Sequence, residues 1–198
     1  MKLLVLSDLH FNQDSDPTLI KDCLSLCRHF KGEVVIAGDA LDVLENPTLL
    51  ESSSFKRIYD ELIQYKWIRG NHDFLTELPS ELVIDNYLFC HGDRFDAFWS
   101  WWPFHFMWVP KFLQFYRTPA EKKKTDLLDY RLTTVTTEYK VTKYALKYKY
   151  RGVIIGHTHS PVIIERDDFL LLNPGDMVDS MTYALLDTET GECEHRSI

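Results

Sequence analysis

Lys2-Leu3-Leu4-Val5-Leu6-Ser7-Asp8-Leu9-His10 opens the chain as a short apolar run that breaks into a polar loop, and the pattern returns twice. Residues 33–37 run into Gly38-Asp39, and residues 66–69 run into Gly70-Asn71-His72-Asp73. Apolar runs of this length bounded by turn residues read as buried strands. Between the first two, Asp16 is placed to cap a helix with Pro17 at its first position, and Gly32 to stop it. Asn46-Pro47 is expected to open a second helix, carrying Phe55, Ile58 and Leu62 at helical spacing. Alternation of this kind predicts an α/β layered domain. Beyond residue 151 the signal becomes short runs at 152–155, 162–165, 169–172, 182–186 and near Cys193, which predicts an all-β C-terminal part.

At 198 residues the chain is long enough for one sizeable core, so we read a single domain over 1–198 with a helical insertion at about 94–151. Within that insertion, Leu128, Leu132, Val135, Tyr139 and Leu146 recur at spacings of three, four and seven and predict one face of a long helix over 125–148. Hydrophobic content of 45% with 26% charged residues is ordinary for a soluble domain. No stretch approaches the roughly 20 apolar residues of a membrane span, and the opening apolar run is too short for a secretory leader, so a cytoplasmic location is expected. Four cysteines without a CxxC pair predict reduced thiols.

The net charge of −8 conceals an asymmetry. Residues 94–155 hold 12 Lys/Arg against 5 Asp/Glu, and the remainder 10 against 25. An acidic body disfavours duplex nucleic acid as a partner, while the basic insertion suits a small anion or an anionic surface.

The chemistry-bearing residues gather where the apolar runs end. Asp8 and His10 follow the first at i, i+2 spacing, which could turn both side chains to one face if the strand alternation persists. Asp39 follows the second, and Asn71, His72 and Asp73 the third. Cys90-His91-Gly92-Asp93 and Gly156-His157-Thr158-His159 end two later runs. Five of the eight histidines lie in these loops, at the sheet edge where open α/β folds bind ligands. Carboxylate, amide and imidazole donors together suit manganese, iron or zinc, and the absence of thiolates disfavours a structural zinc.

In order and type these motifs resemble the signature of the calcineurin-like metallophosphoesterases: Asp-x-His, Gly-Asp, Gly-Asn-His-Asp, His and Gly-His-x-His, from Asp8 to His159. The resemblance implies a four-layer αββα sandwich, two mixed β-sheets flanked by helices, with a helical lid insertion. It implies two divalent metal ions, Mn2+ foremost with Fe or Zn as alternatives. Asp8, His10, Asp39 and His159 would hold one ion, and Asp39, Asn71, His91 and His157 the other. A metal-activated hydroxide would attack the phosphorus of a phosphate ester or pyrophosphate. His72 would act on the leaving oxygen with Asp73 orienting its ring, and Asn71 and His72 would contact the substrate.

The insertion concentrates Trp99, Trp101, Trp102 and Trp108 with Phe98, Phe104, Phe106, Phe112, Phe115 and Tyr116. These read either as a local core under the long helix or as an amphiphilic lid that meets an acyl chain or a membrane surface, with Lys122–Lys124, Lys140, Lys143 and Lys147 for anionic head groups. Its position between the His91 and His157 motifs, with Asp42 after Gly38-Asp39, resembles the UDP-2,3-diacylglucosamine pyrophosphatase branch, which implies a nucleotide-lipid substrate. His72 departs from the Arg of that branch. A general phosphodiesterase or nuclease with the same core, and a non-catalytic metal-binding module, are the alternative readings.

Overall fold

Leu3, Leu4, Val5 and Leu6 are all fully buried, although successive strand residues point to opposite faces. A strand with apolar cover on both faces requires such an unbroken run, and this one lies at the centre of its sheet. The computed structural model describes residues 1–73, 76–96 and 134–198. Its elements in chain order are β1 (Lys2–Leu6), α1 (Pro17–His29), β2 (Glu33–Ile36), α2 (Ser53–Leu62), β3 (Lys66–Trp67), β4 (Glu81–Ile84), β5 (Tyr87–Cys90), α3 (134–147), β6 (Gly152–Ile154), β7 (Val162–Arg166), β8 (Phe169–Asn173), β9 (Thr182–Asp187) and β10 (Cys193–Ser197). Single 3-10 turns at Leu49–Glu51 and Asp93–Phe95 complete them.

Two mixed five-stranded sheets, ordered β10-β9-β1-β2-β3 and β4-β5-β6-β8-β7, pack face to face. The first has β1, β2 and β3 parallel with β9 and β10 returning antiparallel, and the second has β5, β6 and β8 parallel with antiparallel β4 and β7 at its edges. Between the sheets lie Leu3, Val5, Val35, Ile68, Phe89, Ile154 and Leu172. The alternate residues face outward onto helices. Leu4, Leu6, Val34 and Ile36 meet Cys23, Leu24 and Cys27 of α1 and Phe55 and Leu62 of α2. Leu88, Cys90, Val153 and Ile155 meet Val141 and Ala145 of α3. The result is the expected sandwich, helices outside two sheets.

Several local expectations need correction. The Asp16 cap is present, its carboxylate accepting from the Thr18 amide at 2.8 Å, but α1 ends at His29, ahead of Gly32. The second helix begins at Ser53, because the 3-10 turn first carries Leu49 into the core and the chain then extends at Ser52. The part beyond residue 151 is all-β as expected, with β6, β7 and β8 joining one sheet and β9 and β10 the other. The apolar face of α3 marked by Val135, Tyr139 and Leu146 is exposed, and Thr137, Val141 and Ala145 are buried instead. Val141 and Ala145 pack on Leu88, Cys90, Val153 and Ile155 of the second sheet, which apolar periodicity alone does not reveal. The remaining insertion residues named above, the aromatics from Phe98 to Tyr116, the lysines at 122–124, Leu128 and Leu132, lie outside the described residues. Among the described residues no helix is long and apolar enough to cross a membrane, and all four cysteines are free thiols.

The packing of α3 can be checked with one chemical change at two sites. Val141→Ala should lower the unfolding free energy by about 2 kcal/mol in a denaturant titration, the cost of two buried methyl groups and the space they leave. Val135→Ala, at an exposed position, should change it by less than about 0.5 kcal/mol. Equal losses would mean that the helix buries the other face.

Candidate metal centre and active site

The parallel strands of both sheets deliver their C-terminal loops to one edge. β1 leads to Asp8 and His10, β2 to Asp39, β3 to Asn71 and His72, β5 to His91, and β6 to His157 and His159. The loops continue to hydrogen-bond after the sheet ends: the amides of Asp8, His10 and Phe11 donate to the carbonyls of Gly38, Asp39 and Ala40, each at 3.0 Å. The i, i+2 pairs do not work by strand alternation. Asp8 (φ 51°), His10 (φ 48°), Asp39 (φ 52°), His157 (φ 68°) and His159 (φ 52°) all have left-handed backbones. Asp and His tolerate this region better than most residues, and such conformations persist where the surroundings over-determine them.

Two motif glycines are explained by close approach. A Cβ on Gly70 would collide with the carboxylate and amide nitrogen of Asp39, and one on Gly156 with the Ser7 hydroxyl and the Asp8 carboxylate. The glycines thus make room for the donors of neighbouring loops.

Among the described residues three overlapping groups of donor atoms result: Asp8, His10 and His159; Asp8, Asp39 and His91; and His10, Asp39 and His72, with the atoms of each group within 4.8 Å of one another. Asp8 and Asp39 are almost wholly buried, at 0% and 2% exposure. His91 commits Nδ1 to the Ala37 carbonyl at 2.9 Å, which leaves its buried Nε2 3.0 Å from Asp39 Oδ2 in a geometry that makes no hydrogen bond. His10 Nε2 and His159 Nε2 face each other at 3.2 Å. His157 stands apart from these groups. Its Nδ1 is 3.1 Å from Asn71 Oδ1 and its Nε2 3.2 Å from Asp96 Oδ2.

The carboxylate beside His72 is Asp42, not Asp73 as expected. Asp42 Oδ1 lies 3.1 Å from His72 Nδ1 and 2.7 Å from His10 Nδ1, while its Oδ2 accepts from Asn12 at 2.7 Å. Asp73 is fully buried and accepts from the backbone amides of Ala40, Leu41 and Gly70 at 3.1–3.3 Å, bracing the Asp39 loop against the Asn71 loop. Reasoning from sequence also passed over Asp96 and Asp176. Asp176 follows β8 in the turn Asn173-Pro174-Gly175-Asp176, and the strand-end rule that found the other loops would have reached it.

Electrostatics follow from this crowding. Burial alone would raise the Asp39 carboxyl, but His91, His72 and His10 outweigh it and hold the group ionised well below the usual carboxylate range. Burial would likewise lower His91 and His10; Asp39 and Asp8 hold His91 well above the ordinary imidazole value, and Asp42, Asp39 and Asp8 raise His10. Asp73, by contrast, is pushed up to about 6 by burial and by the charge of Asp39.

The donor set fits a divalent cation. A buried ring nitrogen without a hydrogen-bond partner, two ring nitrogens facing one another, and two buried carboxylates shared among them each leave lone pairs that a cation would satisfy. Beside His157 and His159 an open hollow of about 650 Å³ is lined by Asp176, Asp179 and Ser180.

Comparison with known proteins agrees with this architecture. Residues 1–191 match the calcineurin-like phosphoesterase superfamily domain. No curated protein matches the chain in sequence. Among solved structures, an archaeal phosphodiesterase is similar over the whole of both chains, with 20% identity and a TM-score of 0.54. The Zn2+ complex of Vps29 from Entamoeba histolytica is similar at 18% identity and a TM-score of 0.52, over 99% of this chain and 98% of that one. Vps29 from Chaetomium thermophilum gives 17% identity and a TM-score of 0.52, over 94% and 79%. These structural likenesses concern the fold, whereas the sequence match spans nearly the entire chain and every candidate ligand: the protein belongs to the calcineurin-like phosphoesterase superfamily.

Proposed function

We propose that the protein hydrolyses phosphodiester or pyrophosphate bonds with two divalent cations, Mn2+ foremost. The observation that carries this reading is the convergence of Asp8, His10, Asp39, His91 and His159 at one edge, with the His72 ring beside them and backed by Asp42. Asp8, His10, Asp39 and His159 would hold one cation, and Asp39, Asn71, His91 and His157 the other. When bound, such a pair supplies an activated water and neutralises phosphoryl charge.

The protein's own groups do the rest. Asp42 keeps the His72 ring in register with His10. Burial opposes a charged His72, but Asp42 and Asp39 outweigh it and raise its pKa, which favours the protonated ring. That proton passes to the leaving oxygen as its bond to phosphorus breaks. The hollow beside His157 and His159 would receive the leaving portion.

For the substrate we propose an anionic phosphate linked to an apolar arm, such as a nucleotide-linked lipid. Support comes from α3, where exposed Val135, Tyr139 and Leu146 share the helix with exposed Lys140, Lys143 and Lys147. The buried side of that helix brings Thr137 close to Gly92, next to His91.

Three measurements test these statements. Chelator-stripped protein should regain hydrolysis of an aryl phosphate diester on addition of Mn2+, and His72→Ala should lower kcat by about 100-fold or more while still binding the metal; binding without turnover on any ester would count for a non-catalytic module. Metal affinity should rise with pH, by about tenfold per pH unit for each proton displaced, because the surrounding carboxylates favour the protonated rings of His91 and His10, whose protons a cation must displace. Competition with a chelating dye at several pH values would read this directly, and a flat profile would oppose it. Finally, the protein should sediment with anionic vesicles at low salt and lose binding when Lys140, Lys143 and Lys147 are changed together to Glu; failure to sediment would remove the lipid-linked substrate.

A further inference from the structure

Three site histidines have a ring nitrogen hydrogen-bonded to a carboxylate or carbonyl, and His72 has Nδ1 3.1 Å from Asp42 without a hydrogen bond. His91 Nδ1 is held by the Ala37 carbonyl, His10 Nδ1 by Asp42 and His157 Nε2 by Asp96. His159 is arranged differently. Its Nε2 faces His10 Nε2 at 3.2 Å and lies 3.4 Å from Asp8 Oδ1, so Nε2 is the nitrogen turned to the centre. Its Nδ1 looks the other way, towards Asp176.

Asp176 is 1% exposed, and its two oxygens have different occupations. Oδ1 accepts the amides of Val178, Asp179 and Ser180 at 2.8, 2.5 and 3.2 Å, which fixes the turn after β8. Oδ2 is buried without a hydrogen-bond partner, and its ion-pair neighbour among the described residues is His159 Nδ1 at 3.7 Å. A buried carboxylate oxygen without a partner carries a desolvation cost that capping through Oδ1 does not relieve, so a role confined to capping leaves this oxygen unexplained. At 3.7 Å the pair is within ion-pair reach but too long for a hydrogen bond. A cation on Nε2 requires the proton on Nδ1, where it meets Oδ2.

We propose that Asp176 is a positioning residue of the metal centre: through Oδ2 it holds the His159 ring with the proton on Nδ1, so that Nε2 is presented to the cation. The proposal rests on the metal-centre reading above and is independent of which ester, if any, is hydrolysed. It also explains why His159, the most exposed ring of the group with a side chain 31% accessible, needs a buried anchor behind it.

The test is Asp176→Asn. Asparagine retains an oxygen for the three amides, so the turn and the thermal stability of the metal-free protein are kept, while an NH2 replaces Oδ2 and cannot accept from Nδ1–H. We expect Mn2+ affinity by calorimetry to fall about 10–100-fold, in one binding event if two are resolved. We also expect nitrogen NMR to find the neutral His159 ring protonated on Nδ1 in the parent metal-free protein and on Nε2 in the variant. Asp176→Ala should lose both stability and affinity. Parental Mn2+ affinity in Asp176→Asn would overturn the proposal. So would a parent His159 already protonated on Nε2, a result that does not depend on the variant folding. If the protein hydrolyses nothing, both readouts still decide the matter.

Discussion

The constraint on which the structure depends is the burial of Asp8 and Asp39 at the seam where two sheets meet. Two carboxylates taken out of water would cost several kcal/mol each unless opposite charge or a metal answers them. Here the answering groups arrive from both sheets: His10 from the same side, His91 and His159 from across the seam. The sheets therefore meet through more than apolar contact. Leu3, Val5, Phe89 and Ile154 set their spacing, and the charged groups at the edge fix how the loops beyond them must lie. Asp73 extends the same logic, since its carboxylate ties the amides of two donor-bearing loops together.

Much of this was legible in the sequence because strands covered on both faces leave unbroken apolar runs. Wherever such a run stopped at Asp or His, as at Asp8, Asp39 and His91, a donor stands at a strand end. What the sequence did not reveal were relations across the chain. Nothing local to residues 152–198 tells that β9 returns to pair with β1 while β8 stays with β6. Nor does the spacing of Val135, Tyr139 and Leu146 betray that a face built on Thr137, Val141 and Ala145 is the one that packs. Close approach favours small side chains over large ones, and apolar periodicity cannot weigh that.

The error over Asp73 has the same origin. Adjacency to His72 in sequence suggested that the two side chains act together, yet neighbours in a tight loop point apart. The carboxylate beside His72 comes from Asp42, 30 residues earlier and after a different strand. Asp96 behind His157 belongs to the same kind of contact, for which sequence offers little signal: the partner is chosen by where two loops cross.

The left-handed backbone at Asp8, His10, Asp39, His157 and His159 has a consequence for how such a centre can change over time. A side chain at these positions that serves a cation would have to satisfy two demands at once, donating a lone pair and tolerating a conformation that β-branched and bulky residues resist. The backbone alone channels drift toward Asn, Asp, His and Gly, so that the loop shapes can be retained with Asn or Gly at these positions. Alanine, the customary replacement in the laboratory, removes a donor and also loads the backbone with strain, and so confounds two effects that Asn at Asp8 or Asp39 would separate.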